Sequence, residues 1–386
     1  MIPYGRQDIS ELDVKAVTEV LLSDFLTQGP KINEFEKSLT SYTGAKHAVA
    51  VNSATSALHI ACLALGVGPR DVVWTSPITF VASANCALYC GAEVDFVDID
   101  EKTYNMCPLK LEAKLRKAKI TGHLPKVVIP VHLAGQSCEM DKIAKLSQEY
   151  GFKVIEDASH AIGGKYKGIP IGDCRYSDIT VFSFHPVKIV TTAEGGALLC
   201  NDEKIKDKLH LLRSHGITRD EKQMTHASHG PWYYEQIDLG FNYRMTDIHA
   251  ALGISQMGRL NDFIQKRHEV ANRYFKELSD LSIQLPYQHP DTFSAYHLFI
   301  IKLKKNVKKS HKEVFVELRE KGIGVNLHYI PVYQHPYYEK LGFKKGDFPL
   351  AEDYYSGAIS IPMYSSLTVD DQMKTCQSIK NVLEGA

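Results

Sequence analysis

Lys188 is the one lysine in FSFHPVKIVTTAEGG, residues 182–196. Phe182, Phe184, Pro186, Val187, Ile189 and Val190 give it an apolar collar. Burying an ammonium without a partner is costly, so a dry pocket lowers the pKa and yields a nucleophilic amine near neutral pH. A solvated loop lysine is the ordinary alternative. Asp157 ends the apolar run KVIED, with His160 three residues on. That acid either caps a helix or holds a positively charged ring nitrogen. HAVAV (47–51) leads into NSATSAL (52–58), whose small hydroxyl residues either cap the next helix, through Ser53 or Thr55, or seat a phosphate at its N-terminus. Phe80, in PITFVAS, either joins the core or stacks on a flat ring.

The elements that must position these groups are short apolar runs, each followed by a helical pattern. HAVAV, VVWTS (72–76), VDFVDI (94–99), KVVIPVHL (126–133), KVIEDAS (153–159), DITVFSFH (178–185) and GGALLCND (195–202) read as strands. Continuous apolar strands alternating with helices predict a parallel sheet covered on both faces. Ligands bind beyond the carboxyl ends of such strands. A phosphate seat, an acid and a desolvated lysine on successive strand ends together meet the needs of pyridoxal phosphate.

From Met245, MTDIHAALGISQMGRLNDFIQKRHEVANRYFKEL predicts one long helix or two abutting ones, with Asp247 as the cap. Beyond it, SAYHLFIIKL (294–303) and IGVNLHYIP read as strands, and HKEVFVELREKG (311–322) as a helix closed by Gly322. The polar stretch 216–238 is expected to be a long loop excursion. Residues 1–250 are thus expected to form a large α/β domain and 251–386 a smaller α+β domain.

Composition excludes several classes. Lys plus Arg equals Asp plus Glu, 45 against 45, so no global field draws nucleic acid or an anionic membrane. No helix-turn-helix or basic patch points to DNA. No window approaches ~18 uninterrupted apolar residues, so no transmembrane helix is expected. The N-terminus MIPYGRQDIS does not read as a signal peptide. Eight scattered cysteines without a C-x-x-C pair read as reduced cytoplasmic thiols, and no metal site is expected. A Ser183–His185 hydrolase lacks the G-x-S-x-G elbow.

NSATSALH, TSPITFVASAN, GAEVDFVDID, VIEDASHAIGG, FSFHPVKIVTTAEGG and GFNYRMTDIHAALG resemble successive blocks of the DegT/DnrJ/EryC1/StrS sugar aminotransferases, from about residue 5 to the C-terminus. The commoner form of the lysine block is TTGEGG; here Ala193 replaces the first glycine. LTQGP (26–30), RSHG (213–216) and HYIPVYQHPYY (328–338) are similar to the branch that makes pseudaminic-acid precursors. The resemblance implies an α/β, fold-type-I pyridoxal-phosphate aminotransferase, cycling between pyridoxal and pyridoxamine 5'-phosphate. Its substrates would be L-glutamate and a UDP-linked 4-keto sugar, and it would be a homodimer with shared active sites.

The resemblance also implies residue roles. Lys188 would carry the Schiff base and shuttle the proton, and Asp157 would pair with the pyridinium nitrogen. Thr55, Ser56 and Ser183 would bind the phosphate. Phe80 would stack on the ring, and His160 would lie near the ring hydroxyl. Asn242 would reach the cofactor of the neighbouring subunit. Gln28, His185, Arg244, His328 and Tyr329 would contact substrate. Relatives that instead dehydrate C3 of a keto sugar carry histidine in place of this lysine. A regulator that had lost the reaction would be expected to lack the lysine or the aspartate, and both are present.

Overall fold

The computed structural model describes residues 1–384. Seven strands form the main sheet: β1 (His47–Val51), β2 (Val72–Thr75), β3 (Glu93–Phe96), β4 (Val127–Ile129), β5 (Lys153–Asp157), β6 (Ile179–Ser183) and β7 (Gly196–Cys200). Their spatial order is β1-β7-β6-β5-β4-β2-β3. Neighbours from β6 through β3 pair in parallel. β7 runs antiparallel to both β1 and β6, so the sheet is mostly rather than wholly parallel.

The apolar runs are explained by cover on both faces. Alternate residues of a strand point to opposite sides. Val49, Val51, Ile179, Val181, Leu198 and Cys200 join one core, with helices Ala54–Ala64 and Ala82–Tyr89. Ala48, Ala50, Phe182, Ala197 and Leu199 join another, with helices Pro30–Thr43 and Asp247–Gly258. A sheet buried twice has no polar face, which is why its strands do not alternate in polarity.

After the main sheet, Ile283–Gln284, Phe299–Leu303 and Ala358–Ile361 form a three-stranded antiparallel sheet. Helices Leu260–Glu277, His311–Glu320 and Val369–Glu384 share its core.

Several local expectations are corrected. The long helical pattern is two helices, Asp247–Gly258 and Leu260–Glu277. Thr246, not Asp247, is the cap: its side chain accepts from the His249 amide. The Asp247 carboxylate instead accepts from the amides of Gly29 at 2.8 Å and Lys31 at 2.9 Å, and so pins the LTQGP turn. IGVNLHYIP makes only isolated bridges, Ile323 to Ile2 and Asn326 to Ser360. In SAYHLFIIKL only Phe299–Leu303 is strand, and Tyr296 before it has φ +44°. The excursion 216–238 is an exposed loop held by a two-residue ladder, Ile217–Thr218 with Glu235–Gln236. Among the described residues no helix is long and apolar enough to cross a membrane. Cys62 and Cys86 pack with their sulfurs 3.7 Å apart, both buried and free.

Candidate active site

A cavity of about 470 Å³ opens beyond the carboxyl ends of β1, β2, β5 and β6. That lies within the ~300–1,000 Å³ range of small-molecule sites. Ser53 and Thr55 line it after β1, Thr79, Phe80 and Ser83 after β2. Asp157, Ser159 and His160 line it at the end of β5, and Ser183, His185 and Lys188 at the end of β6. Tyr4, His297 and His328–Tyr329 also line it, with the rings of His297 and Tyr329 4.4 and 6.1 Å from that of His160.

Lys188 follows β6 in a turn where its amide donates to the His185 carbonyl. Burial pushes its ammonium down to about 8, although the nearby Asp157 charge opposes the shift. A fraction of the amine is therefore unprotonated at neutral pH. Lys188 is half-buried and lines the cavity, which is not the place of a solvated loop lysine.

Asp157 is buried at the tip of β5. Its Oδ2 accepts from Ser83 Oγ at 2.6 Å, and its Oδ1 from the Ser159 amide at 3.1 Å. Ser83 Oγ lies 2.7 Å from Thr79 Oγ1, so with Ser83 donating to the acid, Thr79 donates to Ser83. These bonds fix the carboxylate's orientation in the cavity.

The helix Ala54–Ala64 begins at the cavity with Ser53 as its N-cap. Ser53 Oγ accepts from the Ser56 amide and lies 2.9 Å from Ser56 Oγ. Ser56 is turned into this cap and does not line the cavity, whereas Thr55 does. The remaining first-turn amides and the positive helix end suit an anion. Gly196 lets β7 approach this terminus: a Cβ there would sit 2.6 Å from the Ala54 nitrogen. Phe80 is 58% exposed with its ring at the cavity, so it is not core material.

The lining around His160 is rich in neutral donors. His160 Nδ1 accepts from the Ala134 amide at 3.3 Å, so its Nε2–H donates to Tyr329 Oη at 3.1 Å. Burial, with Lys188 and His328 nearby, holds His160 far below the usual histidine range. Burial also pushes the Tyr329 phenol up, so it remains a hydrogen-bond donor. His328 is pushed down to about 3 by burial and by Lys188, and its Nδ1 meets Ser360 Oγ at 2.8 Å.

Gln28, Asn242 and Arg244 do not line the cavity. Gln28 and Asn242 are exposed, and Arg244 bridges Val51. Ser83, Ser159, Thr79, Tyr4 and His297 line it without having been singled out in the sequence. The spacing of Thr79 and Ser83, four residues apart beside Phe80, was a usable signal for two of them.

A pyridoxal-phosphate-type cofactor fits these donors. A lysine of lowered pKa, an oriented buried acid, a helix terminus with a glycine-tight wall and an aromatic ring share one cavity. The matches to known proteins agree. The chain belongs to the DegT/DnrJ/EryC1/StrS aminotransferase family, whose profile matches residues 7–380. The spore coat polysaccharide biosynthesis protein SpsC of Bacillus subtilis is 40% identical, covering 100% of this chain and 98% of its own. The UDP-4-amino-4,6-dideoxy-N-acetyl-beta-L-altrosamine transaminase of Campylobacter jejuni is 39% identical, with 100% and 98% covered. Among solved structures, Helicobacter pylori PseC, an aminotransferase involved in the biosynthesis of pseudoaminic acid, superposes with TM-score 0.90 at 32% identity over 100% of both chains. Spr1654 of Streptococcus pneumoniae, in its PMP form, gives TM-score 0.91 at 30% identity, also over 100% of both.

Proposed function

We propose that the protein transfers the amino group of L-glutamate to C4 of UDP-2-acetamido-2,6-dideoxy-β-L-arabino-hex-4-ulose, using pyridoxal 5'-phosphate. The observation that carries this reading is the meeting of Lys188, lowered to about 8, and Asp157 in one cavity at adjacent strand ends. The sugar is supported by the names of the Campylobacter and Helicobacter relatives.

When bound, the cofactor carries the amino group between the two substrates and delocalises the electrons released at the reacting carbon. The protein's residues do the rest. Lys188 Nζ, readily deprotonated, takes and returns the proton at the reacting carbon. Asp157 stands against a positive ring nitrogen, oriented by Ser83 and Ser159. The amides at Ala54–Thr55, with Thr55 and Ser183 hydroxyls, hold the phosphate, so the cofactor stays bound while Lys188 is free. Ser56 supports that seat through the cap. Phe80 covers the ring; His160, through Tyr329, arranges the donor wall.

His185, His328 and Tyr329 are assigned to substrate. Asn242, exposed outside this cavity, is assigned on the family resemblance to the site of a second copy in a homodimer. Gln28 and Arg244 are assigned to substrate on the family resemblance, although neither lines this cavity. The main sheet with its helices, Asp247–Gly258 among them, forms the cofactor domain and the three-stranded sheet the smaller domain, with the boundary inside the helix Leu260–Glu277 rather than at residue 250.

A second reading, another nucleotide 4-keto sugar as acceptor, is favoured by the Bacillus relative, which is equally similar and named for a different polysaccharide. One experiment separates them: incubate the holoenzyme with glutamate and a panel of UDP-, GDP- and dTDP-linked 4-keto sugars, then assign the product by NMR. The proposal expects amination of the UDP-linked L-arabino sugar at C4. Faster amination of another member selects the second reading, and no amination of any overturns both.

A further inference from the structure

His297 lines the cavity yet is 3% exposed and has no role in the account so far. Its ring centroid lies 4.4 Å from that of His160, tilted by 46°. The two histidines differ in one respect. Both nitrogens of His160 have partners within the protein. His297 Nδ1 is buried with none among the described residues. Its Nε2 has no hydrogen bond there either, but it is not enclosed like Nδ1. In a residue that lines the cavity, the nitrogen left open is the one that faces it. An imidazole at such a wall is selected over an apolar ring when something there needs a hydrogen bond, because an unpartnered buried polar atom costs about 1–3 kcal/mol.

The backbone around His297 is held by a buried guanidinium. Arg267, 2% exposed, donates through Nη1 to the carbonyls of Tyr296 at 3.0 Å, His297 at 3.3 Å and Met363 at 3.1 Å. A buried guanidinium spent on three backbone carbonyls fixes the path of the chain where Tyr296 takes φ +44°. That path delivers the ring of His297 to the cavity.

We infer that His297 is a substrate-contact residue whose Nε2 hydrogen-bonds an oxygen of the nucleotide sugar, and that Arg267 is the residue that positions it. The sugar is chosen over the cofactor because the holders that this chain supplies to its own cavity all follow strands of the main sheet. His297, like His328 and Tyr329, comes from the later part of the chain that builds the three-stranded sheet. The inference rests on the proposed aminotransfer and deepens it.

The test uses holoenzyme carrying His297→Gln, His297→Asn or His297→Phe. A glutamine amide nitrogen reaches the position of Nε2, an asparagine amide nitrogen that of Nδ1, and phenylalanine keeps the ring alone. Cofactor affinity, from absorption titration, and the glutamate half-reaction are expected to stay within about twofold of wild type in all three. For the keto sugar, Phe and Asn are expected to lower kcat/KM on the order of tenfold, chiefly through KM, as loss of one buried hydrogen bond predicts. Gln is expected to restore most of it. Arg267→Lys should lower the same parameter, and adding it to His297→Phe should cost little more, because both act through one contact. Wild-type sugar kinetics in His297→Phe, equal losses in Gln and Asn, or loss of cofactor affinity in all three would overturn the inference. Failure of the wild-type enzyme to aminate any sugar would instead sink the proposed function, so the two failures are distinguishable.

Discussion

The hydroxyl of Ser83 donates to the carboxylate of Asp157 at 2.6 Å, across 74 residues of sequence. Ser83 belongs to the first turn of the helix after β2, and Asp157 to the last position of β5. The parallel sheet brings them together, and Thr79 fixes the serine from its other side.

Ser83→Ala removes a buried bond to an ionised group, worth about 2 kcal/mol. The expected result is a ten- to thirtyfold weaker cofactor affinity in absorption titration, with the fold intact by circular dichroism. Unchanged affinity would mean that Ser159 alone orients the acid.

Lys188 makes apo-protein stability depend on pH in a defined direction. Its value is about 8 in the fold against 10.5 ordinarily. Below pH 8 the amine is charged in both states, and burying that charge costs stability. Between pH 8 and 10.5 only the unfolded chain holds the proton, so rising pH favours the fold. Above 10.5 this contribution is constant. The difference in thermal stability between Lys188→Met and wild type, both without cofactor, should therefore favour the variant at pH 7 and narrow steadily from pH 8 to 10.

Ala193 has φ +66°, in the left-handed region that favours glycine, at the place where the family's commoner sequence has Gly. Ala193→Gly is expected to stabilise the protein by about 1 kcal/mol and to raise Tm by about 1–2 °C in calorimetry.

Behind the site, the buried Glu156 carboxylate accepts from His132 Nε2 at 2.7 Å and from the hydroxyls of Ser177 and Thr180. Burial pushes this carboxyl up, but the hydrogen bonds outweigh it and hold the group below its ordinary 4.5. Its contribution to stability is therefore present above pH 4.5 and lost as pH falls through the lowered value. Glu156→Ala leaves the buried His132 Nε2–H unpaired and breaks two hydroxyl bonds, and should cost about 3 kcal/mol in urea unfolding. The acid-unfolding profile should lose this component.

The site was legible in the sequence where chemistry falls at a strand end. Asp157 and Ser183 end, and Thr55 and Lys188 follow, apolar runs that read as buried strands, and the cavity gathers all four. Ser56 was half legible: its place at the turn was readable, but not that Ser53 would draw its side chain into the cap. His297 was hidden because SAYHLFIIKL has strand composition throughout; the contacts of Arg267, 29 and more residues away, set the backbone there. The antiparallel course of β7 was equally hidden, since a strand buried on both faces carries the same apolar run in either direction. Gln28, Asn242 and Arg244 rest on resemblance alone, and one chain folds none of them into its own cavity.

The most direct measurement is chemical. Load the protein with pyridoxal phosphate, reduce it with borohydride, digest it and map the modified peptide by mass spectrometry. The account predicts a single phosphopyridoxyl group on Lys188, and none when glutamate has first converted the cofactor to its amine form. Modification at another lysine, or an unmodified peptide containing residue 188, would contradict it.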